Sequence, residues 1–406
     1  MKCLTASCSL LVLTSLLYAE DVPQFRGKGA AGLSAEKGLP IKFSDTENLR
    51  WKVELPGRGL SNPVIAGRRI FLTACTGPEQ KREHVLCLDL KTGKKLWERQ
   101  LWATGTTLCH PMTCMAAPTP VTDGQFVYAL FATGDLVCYG KDGDLVWYRS
   151  LVGDYPTIGN NVGIAVSPTL HKDVLIVCLE NVGESFAAGV DVRTGQNRWR
   201  IDRPRGINWV TPLVIKNGER DELLLQSGDD LTAYDPLTGK KRWSLNRPSL
   251  SPVATPVWAE GKIFTAGAKF LAVKPGSETE KPTVAWESPK LRAGYCSPTY
   301  HEGRVYTLSG DGIVNCADAK TGKALWSQRP ETAEGEKYWA SPLIAEGRMY
   351  IVSQKGTVTV LRLSDAEPEV LAVNEMKDTI LASPVASDGA IFLRSDRYLY
   401  CIGDKK

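Results

Sequence analysis

The sequence is short of several things, and each shortage removes a class of function. Of its 406 residues, four are histidine and five are methionine. No two cysteines are adjacent. There is no H-E-x-x-H pair, no Walker A loop and no G-x-S-x-G elbow, which sets aside the hydrolases and nucleotide enzymes that carry them. Basic residues (49) barely outnumber acidic ones (45), for a formal net charge of +4. That excess is too small to argue for nucleic acid as a partner. Lys94-Lys95 and Lys240-Lys241-Arg242 read as solvated turns. Beyond residue 19 no apolar run approaches the roughly 18 residues that span a bilayer, so no transmembrane segment is expected. Glycine (37) and proline (24) are spread along the chain, and a 43% hydrophobic, 23% charged composition is that of a globular protein.

The first nineteen residues read as an export signal. Lys2 supplies the positive start, Leu4 to Leu17 the apolar region, and Leu17-Tyr18-Ala19 a cleavage site before Glu20. The mature chain is expected outside the cytoplasm, periplasmic or secreted. Cys8, after Thr5-Ala6-Ser7, is a faint lipoprotein signal, but most of the apolar run follows it. Nine cysteines remain after the signal, an odd number that cannot pair completely within one chain. Cys87, Cys138, Cys316 and Cys401 occupy the same slot of similar strands and read as small buried hydrophobes. Cys109 and Cys114 bracket His110-Pro111-Met112-Thr113 in a loop. A disulfide between them is one reading in an exported protein. A soft-metal site using Cys109, His110, Met112 and Cys114 is another, and no metal is assigned.

A repeat dominates everything after residue 46. Asp89-Leu90-Lys91-Thr92-Gly93 leads to Trp97, Asp191 with Thr194-Gly195 to Trp199, Asp235 with Thr238-Gly239 to Trp243, and Asp318 with Thr321-Gly322 to Trp326. Shortened or altered turns precede Trp147 and Trp286. A residue-proline pair opens an apolar run at Asn62-Pro63, Ala117-Pro118, Ser167-Pro168, Thr211-Pro212, Thr255-Pro256, Ser297-Pro298, Ser341-Pro342 and Ser383-Pro384. These prolines are 55, 50, 44, 44, 42, 44 and 42 residues apart, the period of a four-stranded propeller blade. Proline opens the first strand, where a missing N–H is tolerated, and Asp and Gly build the turn before the last.

The expected fold is all-β: one eight-bladed propeller of four-stranded antiparallel blades over residues 47–403. A non-repeating, extended arm spans 20–46, with Phe25 as its anchor, and a short tail spans 404–406. The eighth unit ends without a tryptophan, and a lone Trp51 strand precedes the first unit. The Trp51 strand should therefore complete the last blade and hide two sheet edges. Trp51, Trp97, Trp147, Trp199, Trp243, Trp286 and Trp326 are read as blade-docking residues. The seventh unit carries Leu371 where tryptophan is expected.

The A-x-D-x-x-T-G-x-x-x-W pattern, clearest from Cys87 to Trp97 and from Ala317 to Trp326, resembles the docking repeat of the pyrroloquinoline-quinone-like β-propellers. The resemblance covers 47–403 and implies a fold more than a function. The superfamily includes quinoprotein dehydrogenases, which hold the quinone and Ca²⁺ at the ring centre, and an outer-membrane assembly lipoprotein that is a scaffold without cofactor. Pro23-Gln24-Phe25-Arg26-Gly27 with the Trp51 strand and Leu55-Pro56-Gly57-Arg58-Gly59 looks like a group of exported bacterial propellers of unassigned role. Against the dehydrogenases stand the missing adjacent cysteine pair and the near-minimal blades. His84, His171 and His301 read as surface turn residues, and Asp229-Asp230 and Glu180/Glu184 as ordinary loop acids.

Residues just before each proline strand should ring one channel mouth. Arg58, Asn208, Trp209, Arg292, Tyr295 and Trp339 fall there, with Asn160-Asn161 as a further rim segment. Aromatics beside Arg and Asn suit a protein, peptide or glycan partner; plugging of the channel by bulky side chains is the rival reading. The expectation is a monomeric, non-catalytic binding or scaffold module without cofactor. The alternative is a quinone- and Ca²⁺-dependent oxidoreductase acting on an alcohol or sugar.

Overall fold

A computed structural model describes residues 19–404, apart from 107, 160–161, 278, 331–334 and 365. The export signal (1–18) and Asn160-Asn161 lie outside the described residues. The chain forms eight antiparallel sheets of four strands arranged as a propeller, one sheet gaining a fifth strand from the arm. Blades 1 to 7 take consecutive strands from 64–102, 121–150, 169–202, 213–246, 257–288, 299–328 and 343–375. Blade 8 combines Val385–Ser387, Ala390–Arg394 and Tyr398–Ile402 with the N-terminal strand Leu49–Glu54, as the sequence predicts. Trp51 pairs with Cys401 in that outer position.

Every blade but the seventh meets the next through a tryptophan. Trp199 of blade 3 lies against Gly239 in the turn of blade 4, and its Nε1 donates to Pro236 O at 3.1 Å. Gly239 has φ +68°, and a Cβ there would come within 2.8 Å of the Trp199 ring. The turn therefore needs glycine both for backbone conformation and for space. The same seat receives Trp97, Trp147 and Trp286, whose indoles donate to Lys141, Val192 and Ala319 carbonyls. Trp51 packs on Gly93 of blade 1, so the ring closes with the same indole-on-glycine packing, but its Nε1 is buried and unpartnered among the described residues. Two seams differ. The blade 5 turn lacks Thr-Gly, and Trp243 donates to Glu222 Oε2 of its own blade at 2.9 Å. Trp326 faces blade 7 with its Nε1 buried and unpartnered among the described residues.

The arm is not a loose leader. Val22 bridges to Ile65 of blade 1, and Pro23 O accepts from Thr122 N of blade 2. The Arg26 guanidinium, buried, donates to Pro298 O and Thr299 Oγ1 of blade 6. Burial alone pulls its pKa down to about 9. Leu33–Ser34 then adds a parallel strand to the inner edge of blade 7, beside Ile344 and Ala345. Leu39 and Phe43 enter the core shared by blades 7 and 8. The arm thus runs around the end of the ring where the inner strands finish.

Candidate functional site

The residue before each inner-strand proline does more than tolerate that proline. Asn62 N donates to Thr119 Oγ1, Thr119 N to Ser167 Oγ, Ser167 N to Thr211 Oγ1 and Thr211 N to Thr255 Oγ1. Thr255 N donates to Ser297 Oγ, Ser297 N to Ser341 Oγ, Ser341 N to Ser383 Oγ, and Ser383 N to Asn62 Oδ1. The eight bonds, 2.9–3.4 Å long, close a circle around the channel. They satisfy backbone N–H groups that no strand partner reaches. Blade 2 joins through Thr119, so its equivalent pair is Thr119-Pro120 and not the Ala117-Pro118 chosen from sequence. The end of the long linker carries Ala117-Pro118 and Thr119-Pro120, and only the second of these has a side-chain acceptor.

One step toward the mouth lie Leu60, Ala117, Ala165, Trp209, Val253, Tyr295, Trp339 and Leu381, one from each blade. Phe25 of the arm forms the floor, and the space between these residues, open at the mouth, is about 120 Å³. Tyr295 and Trp339 are stacked, with ring centroids 4.3 Å apart and planes 7° from parallel. Tyr295 is 48% exposed. Trp339 Nε1 donates to Gln354 Oε1 and Trp209 Nε1 to Gly163 O, which fixes both indoles. Leu108, Val182 and Ile207, from loops on the same side, are exposed apolar residues.

The structure brings together Trp209, Tyr295 and Trp339 but not the other expected mouth residues. Asn208 is buried, and its Nδ2 donates to Glu180 Oε2 and Gln226 O. Glu180 in turn pairs with Arg203 at 2.7 Å, both side chains 2% exposed. Burial pushes the Glu180 carboxyl above its usual range, while that carboxylate holds Arg203 charged. Asn208 is thus a buried residue and not a rim amide, and Glu180, on a loop as expected, is buried and paired. Arg58 reaches sideways, donating to Thr113 O and Pro111 O and pairing with Asp396 at 3.3 Å. It holds the turn at Pro111 and Thr113. Arg292 is exposed, and its carbonyl accepts from Asn315.

Two further expectations change. Cys109 and Cys114 are not joined. Cys109 Sγ lies 3.7 Å from Met115 Sδ, whereas the Cys75 thiol donates to Arg58 O and Gln80 Oε1, each at 3.1 Å. His84 is a buried mid-strand residue, held by Thr76 and Glu98 at 2.7 Å each, because a strand of eight residues, Arg82–Asp89, replaces the expected turn. His171 and His301 are half-buried at strand ends, and His110 is exposed. No cluster of metal-ligating side chains occurs among the described residues.

The fit of a quinone and Ca²⁺ to this channel can be judged from its lining. Ligand pockets usually span about 300–1,000 Å³, against about 120 Å³ here. An anionic quinone also needs cationic partners and its Ca²⁺ needs carboxylates, and the lining supplies neither. The hydroxyl oxygens that face the channel already accept from backbone in the circle. The residues present do not fit the group.

Comparison with known proteins agrees with the architecture. The family profile described as outer membrane protein assembly factor BamB matches three overlapping or adjoining segments, 33–211, 81–274 and 271–369. An outer membrane protein assembly factor BamB of Burkholderia pseudomallei is 24% identical over 300 residues, spanning 66% of this chain and 65% of that protein. The quinohemoprotein alcohol dehydrogenase ADH IIB of Pseudomonas putida is 26% identical over 193 residues, 45% of this chain but 27% of that enzyme. Among solved structures, BamB of Moraxella catarrhalis superposes with TM-score 0.62 at 14% identity, over 86% of this chain and 97% of that one. The quinohemoprotein alcohol dehydrogenase of Comamonas testosteroni gives TM-score 0.70 at 14% identity, over 95% and 81%. At these identities the structural likeness establishes the fold alone. With the profile covering most of the chain, this protein belongs to the BamB-like family of pyrroloquinoline-quinone-like propellers.

Proposed function

We propose that this protein is an exported binding module that captures a protein segment at its channel mouth, in the manner of a scaffold and not of an enzyme. The observation that carries the reading is the exposed Tyr295–Trp339 stack beside Trp209, at the open end of a channel that Phe25 floors. Rigid aromatics whose polar tips are already satisfied bind apolar side chains with little loss of side-chain freedom. Leu108, Val182 and Ile207 widen the apolar face around them. The family match supports a partner drawn from outer-membrane protein assembly. Peptide and glycan partners use the same surface chemistry and remain arms of the test.

The test is capture of an unfolded outer-membrane β-barrel protein by the immobilised mature chain, with Trp209→Ala and Trp339→Ala as variants. Both should weaken capture and leave the melting temperature unchanged. Lost stability with unchanged capture would instead make the aromatics channel plugs. Titration with pyrroloquinoline quinone and Ca²⁺ examines the dehydrogenase reading, which the alcohol dehydrogenase relatives favour. A saturable absorbance shift with a raised melting temperature would overturn the scaffold proposal.

A further inference from the structure

The two ends of the arm meet at one turn of blade 8, and the meeting is built around Glu36. The arm leaves blade 8 at Glu20, whose carbonyl accepts from Ser387 Oγ at 2.7 Å. It passes Val22 on blade 1, Arg26 on blade 6 and Leu33–Ser34 on blade 7. Glu36 then returns it to blade 8, where Oε1 accepts from Asp388 N at 2.9 Å and Oε2 from Gly389 N at 2.7 Å. The same Oε1 accepts from Glu20 N at 2.9 Å. Glu20 answers with its own Oε2, which accepts from Ala35 N at 2.9 Å and from Ser34 Oγ. The circuit around the back of the channel is thus clasped on itself. Among the described residues, Glu20 is the first whose main chain is bonded into the fold. Ala19, one residue earlier, borders an open cavity of about 610 Å³.

We propose that the Glu20 nitrogen is the α-ammonium of the finished protein, and that its ion pair with Glu36 locks the arm over the back of the channel once the export segment is removed. The proposal rests on the export reading, in which Leu17-Tyr18-Ala19 precedes the cut. An endopeptidase of the export machinery hydrolyses the Ala19–Glu20 peptide bond. The hydroxyl of water goes to the Ala19 carbonyl carbon and its hydrogen to the Glu20 nitrogen. The new acid loses a proton to solvent, and the new amine takes one up. A peptide N–H gives Glu36 one bond from a neutral donor. An ammonium gives the same bond with charge on both partners, which is roughly twice as strong. Its other hydrogens turn to the cavity, which has room for water. The carboxylates of Glu20, Glu36, Asp388 and Asp404 face the amine, with Lys37 and Arg50 opposing them. Arg50 is already taken up by Asp388 at 3.2 Å and by the Gly389 and Asp404 carbonyls. Glu36 is therefore the charge in direct contact.

The experiment maps the N-terminus of the exported protein by intact mass. It then titrates the α-amine through the pH dependence of its acylation, read on the N-terminal peptide by mass spectrometry. The expected result is a start at Glu20, with an α-amine that titrates above the roughly 7.7–8.0 of a free terminus. Glu36→Gln should return it to that range, a readout that a packing role for Glu36 would not move. A second form carries Gly-Ser inserted between Ala19 and Glu20, so that the Glu20 nitrogen stays a peptide nitrogen after the cut. At about pH 6 the unaltered protein should melt about 1–2 °C above this form. An amine whose pKa rises on folding stabilises below its unfolded value near 8 and loses that stabilisation as pH rises through the folded value. The gap should therefore close by about pH 10. A protein that keeps residues 1–19 overturns the export reading and the clasp with it. A start at Glu20 with an ordinary α-amine and no gap, or a start at another residue after the export segment, overturns the clasp and leaves export standing.

Discussion

Blades 3 and 7 face the same task, holding the next blade, and do it with different material. Blade 3 uses its own tryptophan: Trp199, 8% exposed, fills the seat made by Gly239 and Pro236. Blade 7 has only the half-buried Leu371 in that slot. The missing apolar mass comes from the arm, whose Leu39 and Phe43 enter the blade 7–8 core. Asn374 of blade 7 fixes them, its Oδ1 accepting from Phe43 N at 2.8 Å and its Nδ2 donating to Ile41 O at 2.9 Å. A blade seam thus needs buried apolar volume with satisfied backbone, whether local or borrowed from a distant segment. Blades 1 and 2 add a third device near the mouth. Glu83 and Asp135, both fully buried, meet through the Thr133 hydroxyl. Burial first and Asp135 second push the Glu83 pKa up to about 9.

If the arm replaces a docking residue, deleting residues 20–46 should do the most damage. The expected loss is on the order of the whole stability of a domain, about 5–15 kcal/mol. A truncated chain that keeps its melting temperature would break the comparison. Trp199→Ala should cost about 3–5 kcal/mol, against about 1–2 kcal/mol for Leu371→Ala. Equal losses by chemical denaturation would mean that both seams rest on their outer strand. Glu83 is protonated in the fold at neutral pH but ionised in the unfolded chain above its ordinary pKa near 4.5. Stability should therefore fall as pH rises from about 4.5 to 9, by at most about 1.4 kcal/mol per pH unit. Glu83→Gln should flatten that slope in melting curves. Asn374→Ala should cost about 1–3 kcal/mol by leaving the Phe43 N–H without its buried acceptor. Ser297→Ala, which opens the inner circle at the Thr255 N–H, should cost about 1 kcal/mol.

What was legible in the sequence was what local chemistry writes. The Asp-x-x-Thr-Gly turns, the tryptophan slots and the lone Trp51 strand each fit within about ten residues, and together they gave blade number and ring closure. The arm was not legible as a strand, because Leu33–Ser34 pairs across more than three hundred positions with residues that carry no matching pattern. The mouth was half legible. Trp209, Tyr295 and Trp339 stand out as aromatics outside the repeat slot. Asn208 differs from a rim amide only through Glu180 and Gln226, which are distant in sequence. Spacing pairs Cys114 with Cys109, but the fold leaves both thiols free. The circle of hydroxyls was visible as a recurring residue before proline, but nothing local says that each oxygen serves the neighbouring blade.

The floor at Phe25 gives the molecule a front and a back. Ala19 and Asp404 border one cavity with Asp388 and Gly389, the turn where the innermost strand of blade 8 doubles back away from the mouth. Ala19 and Asp404 therefore both lie on the back. A tether or fused domain at either end would therefore hold the aromatic mouth facing outward, so the protein can be anchored without covering the surface that meets its partner.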